Sequence, residues 1–157
     1  MRRLIFVCIA LAVALSQTVA SSSSDRRKVG IGLVLGAPTG FSIKYWENQR
    51  IAYQGSIGGM FNGGLMVGAD YLVHENVFRN PQVPFYYGAG MFLGDAGFGG
   101  PDYSHSNVAL GIRAAFGVDF IPREYPFDMA IELGPALLLT PTVGMGVQLS
   151  VAFRFYP

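Results

Sequence analysis

From residue 108 to residue 120 the chain alternates without interruption. Val108, Leu110, Ile112, Ala114, Phe116, Val118 and Phe120 share one parity, and Ala109, Gly111, Arg113, Ala115, Gly117 and Asp119 share the other. A period of two is the signature of a β-strand, whose successive side chains point to opposite faces. The last strand repeats the pattern, with Met145, Val147, Leu149, Val151, Phe153 and Phe155 set against Gly146, Gln148, Ser150, Ala152, Arg154 and Tyr156. Applied along the chain with turn residues as punctuation, the pattern predicts eight strands at 29–36, 41–46, 51–60, 64–74, 85–93, 108–120, 127–139 and 145–156. The fold class is all-β.

Alternation alone suits a soluble barrel, apolar side inward, as well as a membrane barrel, apolar side outward. The second face separates the two. A water-exposed face is rich in Lys, Glu, Thr and Gln, whereas this one is mostly Gly, Ala and Ser with isolated charges. Small residues suit the narrow interior of an eight-stranded barrel. The early glycines Gly30, Gly32 and Gly36 come close to a dinucleotide-binding fingerprint, which requires a helix beginning at the glycines. None follows, because 41–46 alternates as a strand, so these glycines are one inward face. Composition agrees: 51% of residues are hydrophobic and 13% charged, where soluble domains carry roughly 25% charged. Beyond the first residues no apolar run approaches the ~20 residues of a membrane-crossing helix, and only a closed barrel otherwise satisfies its backbone in lipid. Aromatic residues toward strand ends (Phe41, Tyr45, Phe85, Tyr86, Tyr87, Phe120, Tyr125, Phe127, Phe153, Phe155 and Tyr156) fit an interfacial girdle.

Residues 1–20 have a basic start at Arg2 and Arg3, an apolar run and small residues at Thr18 and Ala20, the layout of a secretory signal peptide. Residues 21–28 read as a polar leader and 29–157 as the barrel domain. Cys8 is the only cysteine and precedes the expected cleavage, so neither a disulfide framework nor a lipid anchor is expected. Without Arg2 and Arg3, nine basic residues face ten acidic ones, a balance that gives no footprint for nucleic acid.

The segments PTGFSIKYW, ADYLVH, YYGAG, LGIRAAFGVDF and IELGPALLL, in this order over nearly the whole barrel region, resemble the small outer-membrane β-barrel proteins of Gram-negative-type bacteria, and more loosely the eight-stranded OmpA and OmpX type. The resemblance implies an antiparallel up-and-down transmembrane barrel exported to the outer membrane, with lipid around it. Such barrels usually finish on an aromatic residue; here Pro157 follows Tyr156. The implied role is structural or surface-interacting, since an eight-stranded lumen is filled by side chains and does not conduct. The protein is expected to be a monomer, with loop 94–107 as its surface for a partner. Both termini and the turns 47–50, 75–84 and 121–126 are expected in the periplasm.

Lys44, Asp70, Arg113, Asp119, Asp128, Glu132 and Arg154 share the inward parity. Charges withdrawn from water need partners, so they are expected to form a structural network, with no catalytic residue, cofactor or metal. With a hairpin closed around 140–144, Leu139 is expected opposite Met145 and Ala130 opposite Arg154, with Asp128 and Glu132 flanking it diagonally. Arg113 is expected two residues from the position opposite Glu132. His74 reads as a mouth or turn residue. Two alternatives stand beside this reading. Lipid A deacylases are small outer-membrane barrels with a His-x-Ser-Asn motif, which His105-Ser106-Asn107 approaches one residue short. A secreted soluble barrel holding a ligand would also alternate.

Overall fold

The computed structural model describes residues 28–59, 64–95, 108–122, 124–140 and 143–157. Eight strands lie among them: β1 Val29–Gly36, β2 Thr39–Trp46, β3 Ile51–Gly59, β4 Leu65–Glu75, β5 Phe85–Asp95, β6 Val108–Phe120, β7 Phe127–Thr140 and β8 Gly144–Phe155. Each pairs antiparallel with the next, and β8 returns to β1, closing an up-and-down barrel. Residues 1–27 and 96–107, with the expected signal segment, nearly all of the leader and the His105-Ser106-Asn107 motif, lie outside the described residues.

β2 starts earlier than its alternation suggests. Gly36 takes a φ of 122°, in the left-handed region open to glycine. Its N–H donates to Thr39 Oγ1 at 3.1 Å, and that hydroxyl donates back to the Gly36 carbonyl at 2.8 Å. Only Ala37 and Pro38 remain as turn.

Starting at Gly32, the pairing passes through Ser42, Ser56, Gly68, Phe92, Gly111 and Leu138 to Gly144 on β8. Gly32 itself pairs with Arg154 across the seam. The circuit therefore closes with a stagger of ten residues along β8, which obliges the strands to tilt by about 35–45°. Corrected for that stagger, the strands are level at the end where β1 begins and β8 ends. Their lengths differ at the opposite, loop end: eight residues in β1 and β2, thirteen, fourteen and twelve in β6, β7 and β8.

Two pairings differ from the sequence expectation. β7 and β8 pair Leu138 with Gly144, Ala130 with Ala152 and Asp128 with Arg154, so Arg154 faces Asp128 directly and not Ala130. The cause lies at the rim. Thr140, the last residue of β7, is held to β6, pairing with Leu110 beside a register shift; its hydroxyl accepts from Leu110 N–H at 3.1 Å and donates to the Val108 carbonyl at 3.4 Å. β8 is thereby left to close at Gly144. Between β6 and β7, Phe120 pairs with Met129 and Gly117 with Glu132, which sets Arg113 four residues from the position opposite Glu132 instead of two.

The two faces are sorted at all seven inward charges, while Glu75, on the outward parity at the last position of β4, pairs with the exposed Arg50. Ile131 is 62% exposed while its neighbour Glu132 is 4% exposed. Inside, Val34, Ala52, Leu72, Tyr86, Ala115, Ala130 and Ala152 form one apolar cluster, and Met66, Phe92, Ala109, Ala136 and Leu138 another. The remaining lumen is polar.

Candidate functional site

The alternation that turns Ile, Leu, Val and Phe outward turns Lys44, Asp70, Arg113, Asp119, Asp128, Glu132 and Arg154 into the lumen, where all are buried. Nearest the level rim, Lys44 on β2 reaches across to an ion pair with Asp119 on β6. Its ammonium lies 4.6 Å from the Trp46 ring centroid and 5.1 Å from that of Tyr86, distances at which the ring faces attract a cation. His74 joins this group: its Nε2 is 2.9 Å from Asp119 Oδ2 and 3.0 Å from Lys44 Nζ, and its ring centroid lies 4.3 Å from that of Trp46, tilted by 46°. Rather than standing at a mouth or turn, His74 is 3% exposed inside the barrel.

Arg154 gathers the next set. Its Nη1 lies 3.2 Å from Asp128 Oδ1 and 4.0 Å from Asp119 Oδ1, Nε donates to Ser42 Oγ at 3.0 Å, and Nη2 donates to Gln54 Oε1. Asp128 also accepts from the Tyr156 hydroxyl, which in turn accepts from Trp46 Nε1 at 3.0 Å. Arg154 thus meets two carboxylates, Asp128 and Asp119. Glu132, which the expected register set beside it, is reached through Gln54, whose Nε2 donates to Glu132 Oε2 at 3.0 Å.

Glu132 further accepts from the Tyr86 hydroxyl at 2.9 Å and lies 3.1 Å from Arg113 Nη2. The long arginine side chain covers the extra register offset. Arg113 forks onto Asp70, with Nε to Oδ1 at 2.7 Å and Nη2 to Oδ2, and its Nη1 donates to Gln148 Oε1 at 2.7 Å. Such two-point pairing is the strongest arrangement available to an arginine and a carboxylate.

All seven charged residues singled out from the sequence therefore meet within one network. Of its other members, Ser42, Trp46, Gln54 and Gln148 were not singled out, while Tyr86 and Tyr156, expected in the interfacial girdle, and His74, expected at a mouth or turn, point into the lumen instead. Parity would have found them, since each shares a face with a buried charge or an inward glycine. Chemically, one lysine and two arginines oppose four carboxylates, with His74 placed against Asp119. No serine, threonine or cysteine in it is activated by a neighbouring base, and among the described residues no cluster of three metal-ligating side chains occurs.

No known family's sequence pattern matches the chain, and no curated protein matches it. Two solved structures are similar. The N-terminal β-barrel domain of Pseudomonas aeruginosa OprF aligns at 17% identity with a TM-score of 0.52, over 81% of this chain and 95% of that one. The Yersinia pestis outer membrane protein Ail, solved in a phospholipid bilayer nanodisc, aligns at 20% identity with a TM-score of 0.40, over 81% of this chain and 97% of that one. The OprF likeness establishes the fold as that of a known eight-stranded barrel.

Proposed function

We propose that this chain is an integral β-barrel of the bacterial outer membrane, a monomer with a structural or surface-interaction role, and not a channel. One observation carries the reading: the barrel is inverted relative to a soluble protein. Side chains such as Ile112, Ile131, Leu149 and Phe153 cover its outside, while lysine, arginine and carboxylates are shut inside. In water the outer face would be a continuous apolar patch far beyond what monomeric domains tolerate. In lipid it is the contact surface, and closure leaves the strands without an open sheet edge over most of their length. A lumen spanned by Lys44–Asp119, Arg154–Asp128 and Arg113–Asp70 is occupied by side chains, and these serve as structural pins. Export would follow removal of residues 1–20, and loop 94–107 is the segment long enough to recognise a surface partner.

The test is fractionation with gel migration. The chain is expected in the outer-membrane fraction after alkaline washing, and to migrate differently on a denaturing gel with and without boiling, as folded barrels do. Recovery in the soluble fraction with one mobility would replace the membrane reading by a soluble barrel.

A further inference from the structure

We propose, resting on the membrane reading above, that the barrel wall is lopsided and draws lipid headgroups down beside β1 and β2, thinning the loop-end leaflet on that side only. At about 3.3 Å per residue and a tilt of about 45°, the eight residues of β1 and β2 rise roughly 19 Å and the thirteen of β6 roughly 30 Å. The apolar band of outer-membrane barrels is about 25 Å tall. One wall falls short of it and the other exceeds it.

The shortfall lies at one end. At the level rim Tyr45, Tyr53, Tyr87, Phe120, Phe127 and Phe155 sit within two residues of their strand ends on six different strands. Girdles of aromatic residues mark the interfaces of such barrels, with the tyrosine hydroxyls at the headgroup level, so this ring holds the barrel upright, and tilting would lift part of it out of register with the interface. Toward the loop end Phe41 is the only outward aromatic among the described strand residues. The deficit must then be met in that leaflet.

A second observation marks the same place. On its β1 side, the pairing of β8 stops at Ser150, extended by one bond from Ala37 N–H to the Leu149 carbonyl at 3.0 Å. Because antiparallel backbone groups alternate sides, those of Val147 and Met145 point the same way as Leu149, above the β1–β2 turn, where no described strand lies. Their side chains are 68% and 90% exposed. Backbone N–H and C=O groups without a partner among the described residues are costly in hydrocarbon and are satisfied by headgroups or water drawn down to them. A second copy does not complete this edge: barrels inserted the same way are related by an axis along the membrane normal, which cannot lay β8 antiparallel on itself.

Leu35 and Leu133 allow a direct test, since each lies six residues from the level end of its strand and faces outward. In a flat bilayer they share a depth. Nitroxide-labelled cysteines at Leu35, Leu133, Ile31 and Met129, in the exported chain without Cys8, are reconstituted in dioleoylphosphatidylcholine vesicles and read for collision with oxygen and with a water-soluble nickel chelate. The label at Leu35 is expected to meet the chelate several-fold more often than that at Leu133, with Ile31 and Met129 alike, and the difference should shrink in dilauroyl lipid. If a variant of the upper pair does not fold, Leu33 and Ile131, four residues up, take its place. Equal access at Leu35 and Leu133 overturns the thinning, and a matching difference between Ile31 and Met129 replaces it by tilt. Chelate access at all four positions, without oxygen enrichment, overturns the membrane reading itself.

Discussion

At the scale of single residues, the lumen is assembled by pairing large side chains with glycines. A Cβ on Gly117 would lie 2.3 Å from Tyr86 Cζ, and one on Gly111 would lie 2.2 Å from Phe92 Cζ. Tyr86 is held by its hydroxyl bond to Glu132 and cannot step aside. Gly117→Ala is therefore expected to destabilise the barrel by about 1–3 kcal/mol, the usual range for overpacking, whereas Gly59→Ala, with no atom within 4 Å of the added carbon, should be close to neutral. Urea unfolding from lipid vesicles measures both. The ion pairs make a second prediction. Arg154→Met strands Asp128 in a buried site, a loss expected to cost about 3–5 kcal/mol, and adding Asp128→Asn should restore part of it. A double-mutant cycle between Arg154 and Asp128 should show stronger coupling than one between Arg154 and Glu132, which communicate through Gln54; equal coupling would contradict the observed contacts. The inward set was legible in the sequence because parity depends only on neighbours along the chain. The partners were not: Lys44 finds Asp119 across the lumen, from β2 to β6, and nothing local encodes that reach.

At the scale of strands, the alternation located every element, with ends differing by no more than two residues, while two hairpin registers were displaced. Both facts have one origin. Moving the centre of a hairpin by one residue shifts each cross-strand pair by two, so every side chain keeps its face and only its partner changes. The β7–β8 hairpin moved in this way because the Thr140 hydroxyl binds the β6 backbone, a contact invisible to any reading of β7 and β8 alone. Faces can thus be tested independently of register. Ile112 points outward and Ala115 is fully buried in the lumen. On the membrane reading Ile112→Arg should cost roughly 2–4 kcal/mol near the bilayer midplane and impair insertion, with Ala115→Ser far milder. Comparable losses in folding yield and urea midpoint would mean that the outer face does not meet lipid. Thr140→Val should cost about 0.5–1.5 kcal/mol through its two lost hydrogen bonds, seen as faster amide exchange at Leu110 than at Ile112.

At the scale of the whole molecule, an even number of strands places residues 28 and 157 at the same end, with the longest connection, between β5 and β6, at the other. On the proposed orientation that connection faces the cell exterior. An epitope inserted at residue 98 should be reached by antibody on intact cells, and one attached after residue 157 only after permeabilisation; the reverse pattern would invert the barrel. The lumen also carries a consequence for the order of assembly. Arg154 belongs to the final strand, yet it binds Ser42 on β2, Gln54 on β3 and Asp128 on β7, and approaches Asp119 on β6. Until β8 arrives, four earlier strands hold polar groups facing a vacancy, and β1 has no partner on its seam side. Partial barrels consequently gain little from the strands they already contain, and the final strand acts as a latch that makes closure cooperative: a chain ending before Gly144 should not persist as a smaller barrel but remain open to the periplasmic proteases that remove unfinished products.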